Sequence, residues 1–248
     1  MADYDNRVVR GRSATETGVI DAGLRAHMLR VYNYMLIGLT LTGVSAWVVA
    51  TVPPVGALFY HVMPATGRFG LTGLGWVALL APLGLVMVLS FGIQRMSLAA
   101  AQAIFWSYAA LMGVSLAPIL LVYTGASVAQ VFFITAATFG AMSLWGYTTR
   151  SDLSGFGSFL FMGLIGIVIA SVVNFFILSS AMSFVISVVG VLVFTGLTAY
   201  DTQWIKESYA ASDDGSLSGR KAIFGALKLY LDFVNLFLML LRLLGNRR

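Results

Sequence analysis

The chain has 248 residues, 59% hydrophobic and only 10% charged, with a net charge of +5. A soluble domain carries about 25% charged residues, so the composition leaves room for one membrane-embedded helical bundle and no sizeable soluble domain. Cysteine is absent and the two histidines, His27 and His61, stand far apart, which argues against disulfides, thiol chemistry and a histidine metal cluster. The basic balance is read as topogenic residues flanking helices, with no nucleic-acid surface.

Residues 1–30 form a polar arm carrying Arg7, Arg10, Arg12, Arg25 and Arg30. They lack the apolar core and small-residue cleavage site of a secretory signal, so a retained, flexible cytoplasmic arm is expected. Residues 31–248 then hold seven apolar segments, each near the ~20 residues needed to span hydrocarbon. They run approximately over Val31–Val52, Leu71–Ile93, Leu98–Tyr123, Val128–Thr148, Gly157–Leu178, Ser183–Ile205 and Ala222–Leu244. The expected fold is therefore an all-α membrane protein of seven transmembrane helices.

Lys and Arg set the orientation. The arm and the even-numbered connectors carry Arg95, Arg150, Lys206, Arg220 and Lys221, whereas the opposite loops hold only Arg68. The arm is therefore expected inside. In the last segment, length favours a crossing, while Arg242, Arg247 and Arg248 favour a return; a crossing is the preferred reading. Small residues at helix-interface spacing, namely Ala109, Gly113 and Ala117, Ala136 with Gly140, and Gly166 with Ala170, allow close backbone approach in lipid. No internal repeat of the transporter kind is visible.

Two of the ten acidic residues fall within apolar segments: Asp201 in Thr198-Ala-Tyr-Asp-Thr-Gln203 and Asp232 in Leu229-Tyr-Leu-Asp-Phe-Val-Asn235. Intramembrane carboxyl groups are costly unless protonated, paired or hydrated, and tend to mark ion paths, proton relays or catalytic sites. Lys228, Asp232, Asn235, Met239 and Arg242 share one helical stripe, and Thr198 stands one turn from Asp201. At 1.5 Å per residue Asp232 lies about 15 Å into its segment, so consecutive antiparallel helices bring the two carboxyl groups to a similar level. If they meet they share a proton and titrate as a unit. Loss of that proton would drive the helices apart or create a dianionic site for Ca²⁺, a cation that prefers oxygen ligands. Arg95 is a candidate counter-charge at similar depth. In the alternative arrangement Asp232 pairs with Lys228 on its own helix and Asp201 reaches water. A presenilin-like aspartyl protease dyad is disfavoured, since no glycine directly precedes Asp232 and no proline follows Pro118.

These residues carry a specific likeness. Thr198-Ala-Tyr-Asp-Thr-Gln-Trp-Ile-Lys206 and Ala226-Leu-Lys-Leu-Tyr-Leu-Asp-Phe-Val-Asn-Leu-Phe-Leu-Met-Leu-Leu-Arg242 resemble the two signature stretches of the Bax inhibitor-1 family. Phe132–Gly140 and Gly146–Ser154 are similar to its bacterial branch. The resemblance implies a last helix at the centre of the other six, a di-aspartyl pH sensor formed by Asp201 and Asp232, and Arg95 bonding to the sixth-helix aspartate. It implies a proton-gated passive Ca²⁺ leak in a bacterial inner membrane, with Ca²⁺ as transported ion held only transiently by the two aspartates; no cofactor and no enzymatic activity are expected, since no phosphate-cradling glycine loop and no nucleophile–base set are visible. Thr198, Lys228 and Asn235 are expected to support the pair. An acidic residue found in the second helix of some members has no counterpart in Leu71–Ile93. The partners implied are the bilayer, Ca²⁺ and H⁺. Likeness to some bacterial relatives adds a rival reading, in which the arm modulates a membrane-anchored ATP-dependent protease.

Overall fold

A computed structural model describes residues 2–62 and 69–248, with the side chains of 22–61 and 70–248. Among these residues seven helices are long and apolar enough to cross a membrane: Ala22–Thr51, Gly73–Arg95, Leu98–Val122, Gly125–Thr148, Ser154–Ile177, Ser180–Ser208 and Gly215–Leu244. The first is the distal part of α1 (Ala2–Thr51), followed by the short α2 (Pro53–Phe59) and a hairpin of β1 (Tyr60–Val62) and β2 (Phe69–Leu71). The remaining spans are α3 (Gly73–Gly92, extended by a 3-10 turn to Arg95), α4 (Leu98–Val122), α5 (Gly125–Thr148), α6 (Ser154–Ile177), α7 (Ser180–Ser208) and α8 (Gly215–Leu244). Helix α1 continues unbroken through Arg30, where the arm was expected to give way to the first segment. The side chains of Arg7, Arg10, Arg12 and Arg68, and the arm's expected contact with a protease, lie outside the described residues.

The helix starts follow from side-chain chemistry. Thr72, Ser97, Thr124, Ser179 and Asp214 each accept a hydrogen bond from a backbone N–H in the first turn, at Gly75, Ala100, Ser127, Met182 and Leu217 respectively. Such caps satisfy donors that the helix itself leaves unpaired. Two spans contain a proline, which removes the N–H that would bond the carbonyl four residues earlier. In α3 the carbonyl freed by Pro82 is that of Ala78, and Ser115 Oγ on α4 donates to it at 2.7 Å. In α4 the carbonyl freed by Pro118 is that of Val114, and the Tyr60 hydroxyl donates to it at 2.7 Å. Burial pushes the Tyr60 phenol above its ordinary range, which keeps it a donor. Thus each proline ties its helix to a neighbour through a bond that hydrocarbon could not supply.

The last span is the most enclosed. Its most apolar stretch is 67% buried, against 44% for α7 and 11% for α6. Helix α8 packs against α1, α4, α5 and α7, while α6 leans on α7. Leu227, Leu229, Tyr230, Leu236 and Leu241 of α8 are fully enclosed, as expected for a helix apolar on nearly every side.

Helix α8 has 30 residues, about 45 Å at 1.5 Å per residue, and its end turns back onto the end of α4. Asn246 N donates to Ser127 Oγ at 2.9 Å, Thr124 N to the Asn246 carbonyl at 3.1 Å, and Arg248 N to the Val122 carbonyl at 2.9 Å. At its start, Arg220 donates to the carbonyls of Gln94 and Met96, beyond the end of α3. The last segment therefore runs the length of the bundle, as the preferred reading had it, and its three arginines stay at the far end.

Of the expected small-residue interfaces, the one in α4 is realised. Ala109 and Ala117 are buried, and a Cβ on Gly113 would lie 2.3 Å from the Thr42 carbonyl of α1. Gly140 and Gly166 face open space instead. The close approaches in α5 and α6 come from Gly146, against the Ala199 backbone, and Gly157, against the Tyr200 ring.

Candidate functional site

Gly146 and Gly157 bring α5 and α6 onto α7 at the level of Asp201, seven residues before the α7 end at Ser208. Around it, Gln203 closes the α5–α6 connection by accepting from Leu153 N and donating to the Ser151 carbonyl, both at 2.8 Å. Lys206 Nζ donates to the Tyr147 carbonyl at 2.8 Å. Thr202 Oγ1 bonds the Thr198 carbonyl at 2.7 Å and meets Ser143 Oγ at 3.0 Å, which meets the Tyr32 hydroxyl at 2.6 Å. This polar chain fixes the rotation of α7 against α5 and α1.

The rotation aims Asp201 at α8. Asp201 and Asp232 are 5% and 4% exposed, and both line one cavity between the helices. Ionised carboxylates only accept, so a bond between them needs one proton. Lys228 Nζ stands 2.7 Å from Asp201 Oδ1 and 4.7 Å from the centre of the Trp204 ring. One proton on the aspartate pair together with the ammonium makes the cluster neutral. Asp232 Oδ2 is buried and has no hydrogen-bond partner among the described residues.

A cavity of about 700 Å³ opens onto the cluster between α3, α6, α7 and α8, lined in part by Ser90, Tyr200, Asp201, Lys228, Asp232 and Asn235. Toward the α8 start it adjoins a cavity of about 540 Å³ that shares Ser90 and Phe224. Toward the far end it adjoins one of about 680 Å³ that shares Asn235. Lys228, Asp232, Asn235, Met239 and Arg242, the stripe read from the sequence, all line this series of cavities.

The structure thus brings together Asp201, Asp232, Lys228 and, at the cavity wall, Asn235. Asn235 spends its amide donor on the Leu231 carbonyl at 2.8 Å, and Thr198 donates to the Phe194 carbonyl at 2.8 Å instead of to Asp201. Arg95 is exposed at the end of the 3-10 turn. Among the described residues it forms no ion pair; the cation against the aspartates is Lys228. The alternative with Lys228 on Asp232 and Asp201 in water is overturned. The flexible lysine stem reaches across to the neighbouring helix, and Asp201 is buried. No sequence pattern pointed to Tyr32 and Ser143, 111 positions apart; the spacing of Thr198 and Thr202 on one face was the available hint of a bonded column. Among the described residues no group of three His, Cys, Asp or Glu side chains could hold a metal.

Seven apolar spans around a buried, lysine-paired aspartate couple define an integral membrane protein with an ionisable site inside its bundle. A family model described as "Inhibitor of apoptosis-promoting Bax1" matches residues 24–248. The chain belongs to this Bax inhibitor-1 family. It is 50% identical over 229 residues to the inner membrane protein YbhL of Escherichia coli, covering 92% of this chain and 94% of that one. It is also 46% identical to an uncharacterized protein of Rickettsia prowazekii over the whole of both chains. An uncharacterized protein of Caulobacter vibrioides is 44% identical, again over both full lengths.

Proposed function

We propose that this protein is a passive, pH-sensitive Ca²⁺ leak in a bacterial inner membrane, gated by Asp201 and Asp232. The observation that carries the reading is the presence of two buried carboxyl groups, on neighbouring helices, at the wall of one cavity that adjoins others along α8. With one shared proton, the pair ties α7 to α8 and leaves no charge to attract a divalent ion. As pH rises the proton leaves and two anions face each other at low dielectric, where repulsion is strong. Separation of α7 from α8 would join the cavities, and the exposed carboxylates would draw Ca²⁺ through as cargo. Weak, transient binding suits a leak, because an ion held tightly does not leave.

Lys228 takes the counter-charge role in this scheme, its ammonium held where an incoming cation would approach Asp201. The Lys and Arg distribution supports a cytoplasmic arm, and the inner-membrane reading follows the name of the Escherichia coli relative. The test is Ca²⁺ flux into liposomes holding the full-length protein, in mildly acidic and mildly alkaline buffer. Entry should rise with pH in the wild type and lose that dependence in Asp201→Asn and Asp232→Asn. Equal entry in wild type and both variants at both pH values would reject the mechanism.

A further inference from the structure

The far end of the bundle carries cations with no acid to answer them. No Asp or Glu occurs in residues 52–72, 123–125, 178–180 or 245–248, the stretches that connect or end the helices there. Neither Arg242 nor Arg247 takes part in an ion pair among the described residues. Both line the far cavity of about 680 Å³, together with Asn174, Ser180, Ser183 and Tyr123.

This cavity is built. The α8 tail does not trail away; its three backbone hydrogen bonds to α4 and α5 hold Arg247 against Tyr123, the guanidinium carbon 5.8 Å from the ring centre. Across the cavity the α6–α7 connection is locked. Asn174 accepts from Ser179 N at 3.0 Å and donates to Ser183 Oγ at 2.7 Å. Leu178 adopts φ 56, the only non-glycine residue with positive φ among those described. A left-handed leucine is strained, and such strain tends to persist where a tight turn serves a site. The turn leads into the start of α7, where Ser180 and Ser183 line the cavity together with the two arginines.

We propose that this cavity binds the phosphate of an anionic phospholipid headgroup. Arg242 and Arg247 would provide the charge-assisted bonds that guanidinium groups make to phosphate, with the α7 N-terminus adding partial positive charge. The walls select a lipid over a free anion: Phe175, Leu178 and Phe184, which also line the cavity, are 75%, 82% and 62% exposed. An acyl chain would cover these surfaces while the headgroup reaches the arginines. Basic pockets between transmembrane helices bind anionic headgroups in this manner. A bound lipid would also offset the placement of arginines at the end of the bundle opposite the basic arm.

Native mass spectrometry of the full-length protein in neutral detergent tests the site, with phosphatidylglycerol, phosphatidylcholine and inorganic phosphate as probes. The wild type should retain phosphatidylglycerol in preference to phosphatidylcholine, and excess inorganic phosphate should fail to displace it. Arg242→Gln and Arg247→Gln should each weaken phosphatidylglycerol binding about tenfold, the loss of one charge-assisted bond, while Arg220→Gln at the other end should not. Equal retention of the two lipids, displacement by inorganic phosphate, or unchanged binding in both glutamine variants would overturn the proposal. Arg247 lies beyond the helix end and is exposed, so its variant folds even if Arg242→Gln does not; unchanged binding in Arg247→Gln would then overturn the proposal by itself.

Discussion

Lys228 of α8 reaches Asp201 of α7, 2.7 Å from nitrogen to oxygen, and passes over Asp232, which stands one turn away on its own helix. The ammonium sits at a half-open position, its side chain 28% exposed against 8% for Asp201. Removing one partner of an enclosed ion pair leaves the other uncompensated. Lys228→Met should therefore destabilise the fold by about 1–3 kcal/mol. That corresponds to about 3–10 °C in the melting temperature measured in detergent. Adding Asp201→Asn should restore part of the loss, because the stranded carboxylate is then gone.

For the gate, the sign of the pH effect is fixed by the chemistry. In the proposed gate, a proton shared by Asp201 and Asp232 is present at low pH and absent at high pH, so the proposed leak should open toward alkaline conditions. Liposome flux should rise with pH in the wild type and run flat in either asparagine variant.

Thr42 and Tyr230 form the buried polar contact between α1, α4 and α8. The single Thr42 hydroxyl proton is shared by the Gly38 and Ala109 carbonyls at 2.9 and 2.8 Å, so Tyr230 donates to Thr42 Oγ1 at 2.6 Å. Thr42→Val would strand the Tyr230 hydroxyl inside the bundle and should cost about 1–3 kcal/mol. Tyr230→Phe removes donor and need together and should cost about 1 kcal/mol. Thermal unfolding of the two variants and of Thr42→Ser, which should be close to wild type, ranks them.

The proline-linked carbonyls make a double-mutant test. Ser115→Ala should cost about 1–3 kcal/mol, because the Ala78 carbonyl then has no donor. In a Pro82→Ala background the restored backbone N–H supplies one, and the same substitution should cost little. Equal losses in both backgrounds would show that Ser115 matters for packing alone.

Glycine contacts separate helix interfaces from lipid-facing positions. Gly113→Ala places a methyl 2.3 Å from the Thr42 carbonyl and should force α1 from α4, whereas Gly84→Ala meets nothing within 4 Å. The first should cost about 1–3 kcal/mol by overpacking. The second should be neutral or stabilising, since alanine is the better helix former. Melting temperatures of both proteins measure the difference.

Hydropathy revealed the seven spans because lipid demands an unbroken apolar run wherever a helix crosses. It misjudged where helices begin. Helix α1 runs unbroken through Val31 and the last helix starts at Gly215, earlier than the apolar runs, since a helix can continue into water with its backbone bonds intact. The stripe of α8 was legible from spacing alone, for the same reason that few polar side chains survive in lipid without a partner. Interfaces were only half legible: Gly113 packs and Gly140 does not, and hydrocarbon tolerates a small residue on either face. Which cation would meet Asp201 depended on side-chain reach between helices, and the placement of Lys228 over Trp204 has no one-dimensional signal.

The most enclosed span is also the last of the seven to be translated. Until α8 leaves the ribosome, Thr42 lacks its tyrosine, Asp201 lacks both lysine and aspartate, and the end of α4 lacks its returning strand. The earlier helices can pair among themselves, α1 with α4, and α5 and α6 with α7, but the contacts that join these groups through α8 can form only once that helix has been made.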